Sequence, residues 1–480
     1  MPRSSDPTHH RRTPMVMLEA METSGPFAPP AAVPPARDLS DAALWEVLER
    51  LRAKHGVVGA QVAIDRAGTV SDAASGLLNV EMGSTATTDA LFQIGSITKV
   101  WTATLVMQLV DEGVLDLDAP VVTYLPDLPS AEPQRMARVT VRHLLTHSSG
   151  IEGDVFTDTG RGDDCLARYV DGLGGIGFVH APGALTSYSN TSYVIAGRLI
   201  EAVTGRVWDD VLRERLVEPL GLTHTETLPE RLPRYAVAHG HAADAEGRMA
   251  LVPRWSIPRS SGPAGIIAAR ARDVAAFARM HLADGVAPGG HRILSAASVA
   301  EMRREQSAAP ELARRGIGWG FEDWSDTTHG HDGATYGQLA FLRVVPEHDL
   351  VVVLLTNGGD GITMFAELAA EALGIEVPPP PRPPVPLPDV DLARFAGTFR
   401  RHGTVFRLTP DGDGIAAEIT QEAAASDSQE ETTIPLRFVA TAEDTIMTQF
   451  HGSSWFTGHL VEVDGVEFLH FGGRANRRVD

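Results

Sequence analysis

The 480-residue chain reads as an α/β protein: an antiparallel sheet flanked by helices, with an inserted helical layer, followed by a small C-terminal antiparallel β-barrel-like domain. Three observations predict this. β-rich runs occur early and late in the first 375 residues with helical runs between them, a stretch ending at Pro388 holds eight prolines, and beyond it turn signals separate alternating runs.

In chain order, residues 1–38 are expected to be a disordered, Pro-rich tail. Arg11-Arg12 is followed by a short apolar run that Glu19 interrupts, so no signal peptide is read there, and no later stretch has the roughly 18 apolar residues of a membrane span. A cytoplasmic location is the resulting expectation. Leu44, Val47, Leu48 and Leu51 form one stripe of a helix that Gly56 ends. Val57 to Asp65 and Thr69 to Leu77 read as antiparallel strands around Arg66-Ala67-Gly68. From Ser96 to Glu112 the pattern is helical and apolar on most sides, which predicts a buried central helix. Asn190 to Thr204, Trp208 to Val217 and Ala271 to Leu282 give the helical layer. Gly337 to Val345 and Asp349 to Thr356 return to the sheet, and Met364 to Leu373 closes it.

Four segments are expected: the tail, a catalytic domain over 39–375, a Pro-rich linker over 376–389, and a β domain over 390–480. In the last, Pro410-Asp411-Gly412-Asp413-Gly414 and Val463-Asp464-Gly465-Val466 mark hairpins, and Glu422 to Thr432 reads as a solvated loop.

The formal charge of −21 repels phosphate backbones and anionic headgroups, which argues against nucleic-acid or membrane partners and for a small-molecule or peptide substrate. Cys165, the one cysteine, cannot form an internal disulfide and reads as a core residue. His239 and His241, and His329 and His331, are alternate pairs without a metal-ligand motif, so neither metal nor cofactor is expected.

Chemistry concentrates at Ser96. Only two of the 41 basic side chains are lysine, Lys54 and Lys99, and the second stands three positions after Ser96. An ammonium can shed its proton and a guanidinium effectively cannot. Burial among apolar helix neighbours lowers a lysine pKa from about 10.4, and a neutral amine one helical turn from a hydroxyl is an activated nucleophile. Ser96 at the head of its helix also offers its N–H to a developing oxyanion.

Phe92-Gln93-Ile94-Gly95-Ser96-Ile97-Thr98-Lys99, then Tyr188-Ser189-Asn190, then His331-Asp332-Gly333 resemble in order and spacing the three active-site motifs of the penicillin-binding-protein and class C β-lactamase superfamily. The resemblance covers about 40 to 375. His143-Leu144-Leu145-Thr146-His147-Ser148-Ser149-Gly150, Pro263-Ala264-Gly265 and Gly316-Ile317-Gly318-Trp319-Gly320 also look familial. It implies a serine β-lactamase-like fold in which Tyr188 shares the proton duty of Lys99. Asn190 would bind Lys99 and the substrate amide, or else cap the helix beginning there. His331 would open the edge strand lining the pocket, Gly333 would admit the substrate backbone, and Ala334 N–H would complete the oxyanion hole. Many penicillin-recognising members have lysine where this chain has His331, and an imidazole is mostly neutral at pH 7.

The implied activity is that of a serine hydrolase or acyl transferase forming an acyl-Ser96 intermediate on ester or amide substrates, including D-amino-acid peptides. A penicillin-binding-protein-type thioesterase that cyclises nonribosomal peptides is the alternative, and a non-catalytic sensor the second. The C-terminal domain resembles a lipocalin-like appendage, whose Arg474, Arg477 or Arg478 would meet an anionic peptide end or simply lie on the surface.

Overall fold

Alternation along one buried strand explains the architecture of the first domain. In a computed structural model, which describes residues 40–307, 312–322, 324–375, 377, 381–422, 431–449 and 455–480, Leu350–Thr356 is buried throughout. Val351, Val353 and Leu355 enter one core, while Leu350, Val352 and Leu354 enter another on the opposite sheet face. Such two-sided burial requires layers on both faces.

The chain supplies them in order. Helix α1 (Asp41–Lys54) starts at Ser40, whose hydroxyl accepts from Ala43 N–H, and buries Leu44, Leu48 and Leu51. Strands β1 (Gly59–Arg66) and β2 (Thr69–Asn79) pair antiparallel, and β3 (Ser84–Thr85) continues the edge. Helix α2 (Thr98–Asp111) is buried on nearly every side; its polar Thr102 donates to the Pro263 carbonyl at 2.8 Å and so costs little there. The helical layer includes α3 (Asn190–Thr204) and α4 (Ala271–Leu282). Strands β4 (Gly320–Phe321), β5 (His329–Thr335), β6 (Gln338–Val345) and β7 (Leu350–Thr356) then return to the sheet. Helix α5 (Gly361–Leu368) covers the same face as α1. The sheet order is β3-β2-β1-β7-β6-β5-β4, so β7 inserts beside β1 and closes a sheet built from distant parts of the chain.

Differences from the sequence reading are local. The expected helix from Ser96 begins as a 3-10 turn, Gly95–Ile97, before α2. The segment from Trp208 is α-helical to Leu212 and π-helical over Arg213–Val217. His331 does not open its strand: β5 begins at His329, and short β4 covers only His329 and Gly330, which leaves the rest of β5 as the effective edge.

Eight strands, from β8 (Gly397–Arg401) to β15 (Arg474–Arg478), pair in sequence order and close as β8 meets β15. Phe395, Phe399, Phe406, Phe438, Phe456 and Phe471 fill the closed barrel. Asp464 (φ 53°) and Gly465 (φ 74°) form the tight turn that their sequence signalled. The N-terminal tail and most of the expected Glu422 to Thr432 loop lie outside the described residues, as does part of the Pro-rich stretch.

Four buried histidines make the fold acid-sensitive. Burial pushes His281 down to about 3, and His180, His329 and His470 to about 4. Each binds a proton more readily unfolded, near 6.5, than folded, so stability is fully present above that pH and is lost as pH falls toward 4, by roughly 1 kcal/mol per unit per histidine. Glu201, pushed up to about 7 by burial, opposes them with one proton between about 4.5 and 7. Thermal melts should therefore show a flat Tm from pH 7 to 8 and a steep fall from 6.5 to 4; a pH-independent Tm across that range would refute this.

Candidate active site

Backbone geometry builds the site before any side chain enters it. Phe92-Gln93 pairs with Ala268-Ala269, Ile94 N–H donates to the Ile267 carbonyl at 2.9 Å, and Gly95 turns at φ 49° into the 3-10 helix carrying Ser96. The leading N–H groups of such a turn have no acceptor within it. Facing it is β5. The two-residue connection Tyr336-Gly337 closes the β5–β6 ladder at the Thr335–Gln338 pair, and because alternate antiparallel pairs exchange hydrogen bonds, Ala334 falls on a non-bonded pair. Its N–H and C=O therefore point away from β6 toward the turn. A β-carbon on Gly95 would lie 2.6 Å from Ala334 N, and one on Gly333 would lie 1.9 Å from the Ile94 carbonyl. Only glycine fits at either position. Strand and turn thus pack backbone against backbone at Gly333.

Lys99 and Ser96 meet where expected. Lys99 Nζ lies 2.9 Å from Ser96 Oγ and donates to the Ala264 carbonyl at 2.7 Å. Lys99 is fully buried and Ser96 nearly so. Lys54, by contrast, sits at the surface against Glu367, so the two lysines of the chain divide between a surface ion pair and the buried site.

The Tyr188 ring centroid lies 4.8 Å from Lys99 Nζ and 6.2 Å from the His331 ring. Ser189, not Asn190, caps α3: its extended backbone lets the hydroxyl accept from Ser192 N–H at 3.0 Å. Asn190 is freed for Asp154, to whose Oδ1 it donates at 3.1 Å. His331 Nδ1 donates to the Asp332 carbonyl at 2.6 Å, which leaves Nε2 as a buried acceptor without a partner among the described residues. Burial, then the charges of Lys99 and Arg315, hold this imidazole well below its usual range. It is a neutral acceptor and no substitute for a lysine.

Sequence reasoning missed three groups here. His147 stacks on Tyr188 with centroids 4.3 Å apart. Asp154 is buried between the two domains, and it takes Arg474 Nε and Arg401 Nη1 of the barrel, both at 2.7 Å. Arg474 also stands 5.0 Å from the Tyr188 ring. The barrel is stitched on further by Tyr188 N–H donating to the Gly473 carbonyl at 2.9 Å, and by His470 Nε2 donating to the Thr186 carbonyl at 3.0 Å. Arg474, expected to meet a peptide or lie on the surface, meets Asp154, because a buried guanidinium needs a carboxylate. Arg478 pairs with Glu467. The signal that existed was the His143 to Gly150 motif; nothing marked Asp154 or Arg401.

Cys165 is buried and its thiol is pushed up to about 11 by that burial, as suits a core residue. Among the described residues no three of His, Cys, Asp and Glu converge as metal ligands, and no helix is long and apolar enough to cross a membrane.

A serine and a lysine one turn apart on a buried helix, under the edge strand of an antiparallel sheet, define the serine β-lactamase-like class. Residues 45–376 match the family described as Beta-lactamase, and the chain belongs to it. It is 45% identical over 378 residues to "Penicillin-binding protein 4" of Amycolatopsis lactamdurans, spanning 76% of this chain and 98% of that one. Among solved structures, "Crystal structure of SurE" superposes with a TM-score of 0.73 at 30% identity and covers 92% of this chain and 99% of that one. A D-amino acid amidase from Ochrobactrum anthropi SV3, complexed with D-phenylalanine, gives 0.57 at 27% identity over 69% and 98%. The chain is accordingly an acyl-serine hydrolase or acyltransferase with a closed eight-stranded C-terminal barrel of lipocalin-like form.

Proposed function

We propose that Ser96 is the nucleophile, Lys99 its base and Tyr188 the partner that shares the proton, acting on esters and on amides that contain a D-residue. The observation that carries this reading is the 2.9 Å contact between Lys99 Nζ and Ser96 Oγ in a buried setting. Neutral Lys99 takes the Ser96 proton as Oγ bonds to the substrate carbonyl carbon. Negative charge gathers on the carbonyl oxygen, where the N–H groups of Ser96 and Ala334 stabilise it. As the tetrahedral centre collapses, the bond to the leaving alcohol or amine breaks and that group takes the proton back from the Lys99–Tyr188 pair. Water or an amine then attacks the acyl-Ser96 ester by the same steps. Asn190 and the Nε2 of His331 bind the substrate, the latter by accepting a hydrogen bond.

The D-residue preference is supported by the names of two neighbours, a D-amino acid amidase and a D-stereospecific amidohydrolase, and by SurE in complex with D-Leu. A second acceptor is open to the acyl-Ser96 ester, an amine of the acyl chain itself, which would make the enzyme a cyclising thioesterase. A peptidyl thioester ending in a D-residue separates the outcomes, since the cyclic product weighs one water less than the linear acid. We also take residues 39–375 as the catalytic domain and 390–480 as the β domain, joined by 376–389. The single buried cysteine supports action in a reducing compartment such as the cytoplasm.

Intact-mass labelling with a fluorophosphonate is expected to give one adduct on the native chain and none on Ser96→Ala; an adduct surviving that substitution overturns the assignment of Ser96. Nitrocefin should be hydrolysed slowly, because His331 presents no cation to its carboxylate. Turnover as fast as that of a p-nitrophenyl ester would show that carboxylate recognition lies elsewhere.

A further inference from the structure

We propose that His147 is a positioning residue for Tyr188, clamping the extended segment that carries it from three directions. The inference rests on the reading of Tyr188 as a proton-transfer group. Ser187 N–H donates to the His147 carbonyl at 2.8 Å, and Ser189 N–H donates to His147 Nδ1 at 3.0 Å. One residue thus accepts from both neighbours of Tyr188 while its own ring lies on the Tyr188 ring, 4.3 Å between centroids and 26° from parallel. The intervening N–H, that of Tyr188, goes the other way to Gly473 of the barrel. The phenol that faces Lys99 is therefore fixed by its ring face and by three consecutive backbone groups.

Two features show that this arrangement is specified by the residue itself. His147 has φ 57°, a left-handed conformation that a residue with a β-carbon rarely adopts without compensation. That turn directs both its carbonyl and its ring at the same segment. A backbone N–H can only donate, so Nδ1 must be bare and the ring proton must sit on Nε2. Burial first, and then the charge of the nearby Arg474 guanidinium, keep the ring from taking a second proton. The His143 to Gly150 motif thereby gains a function in the reaction.

The test pairs two substitutions with different losses. His147→Phe keeps a flat ring for stacking and loses the acceptor; His147→Asn keeps an acceptor and tolerates the left-handed backbone, but loses the ring. Measured on a p-nitrophenyl ester with the full chain, each is expected to lower kcat about tenfold or more while KM stays within about twofold. Adding His147→Phe to Tyr188→Phe should cost nothing further, because His147 acts only through that phenol. Wild-type kcat in His147→Asn and His147→Phe, or losses that multiply in the double variant, would overturn the positioning role. If His147→Phe fails to fold, His147→Asn still decides by its split between kcat and KM. A fully active Tyr188→Phe would instead sink the reading of Tyr188, a result distinct from failure at His147.

Discussion

Replacing Lys99 by arginine is expected to lower kcat/KM for an ester substrate about 10³-fold or more, with the protein still folded. The substitution keeps the positive charge and most of the stem but removes a nitrogen that can be neutral. If Lys99 served only as a fixed charge for the oxyanion or for a substrate carboxylate, arginine would retain much of the activity. Ser96→Ala should be as damaging by itself, and Ser96→Ala combined with Lys99→Arg should be little worse than either, since nucleophile and base act as one unit. Single-turnover acylation by a p-nitrophenyl ester, monitored as the nitrophenolate burst, isolates the step at issue. Lys99→Arg acylating within about tenfold of wild type would remove Lys99 from the role of base.

The contact between Ser96 and Lys99, the proposed catalytic pair, was legible in the sequence because it is local. Ser96 and Lys99 lie one helical turn apart, and burial of their helix follows from its unbroken apolar pattern, so the 2.9 Å contact needs no long-range information. Strand pairs and helices with strong periods, such as Asn190–Thr204 and Ala271–Leu282, were legible for the same reason. The helix that opens with Ser96 was misjudged only at its first turn, where Gly95 and the packing of Ala334 impose a tighter winding than any pattern encodes. Groups that depend on distant partners left no trace. Asp154 stands in a loop with no motif, and the arginines that explain it come from the first and last strands of the barrel, Arg401 and Arg474. The approach of Gly333 to the Ile94 carbonyl was not legible either, because the two lie far apart in sequence.

Removing the Asp154 carboxylate is expected to be the most destabilising single change at the domain junction. Burial pushes this carboxyl up, but the charges of Arg474 and Arg401, with donated hydrogen bonds from Arg474 and Asn190, overcome it and hold the group at about 2. Asp154→Ala would take this carboxylate from buried Arg474 and half-buried Arg401, and this acceptor from Asn190 Nδ2, a loss of about 3–5 kcal/mol by analogy with other broken buried pairs. Because the folded value lies below the unfolded one near 3.9, the contribution is fully present above about pH 4 and is lost as pH falls toward 2, a window below that of the buried histidines. Urea unfolding at pH 7 measures the loss, and hydrogen exchange locates it: protection should drop in residues 186–190 and in the barrel strands carrying Arg401 and Arg474, while the β1–β7 sheet centre keeps its own. Asp154→Ala combined with Arg474→Met should recover part of the loss, since the second change withdraws one of the stranded charges. A loss below about 1 kcal/mol, or an Asp154→Ala/Arg474→Met variant no more stable than Asp154→Ala, would mean that the barrel is held by its backbone contacts at Tyr188 and Thr186 and by apolar packing of Phe468 and Ala475 against Val179 and Leu185. Activity then adds a second discriminant. The carboxylate meets the site through Asn190 and through Arg474, which stands over the Tyr188 ring, so Asp154→Ala in its folded fraction should lower kcat, whereas a purely mechanical fastening of the barrel would leave the turnover of folded molecules unchanged.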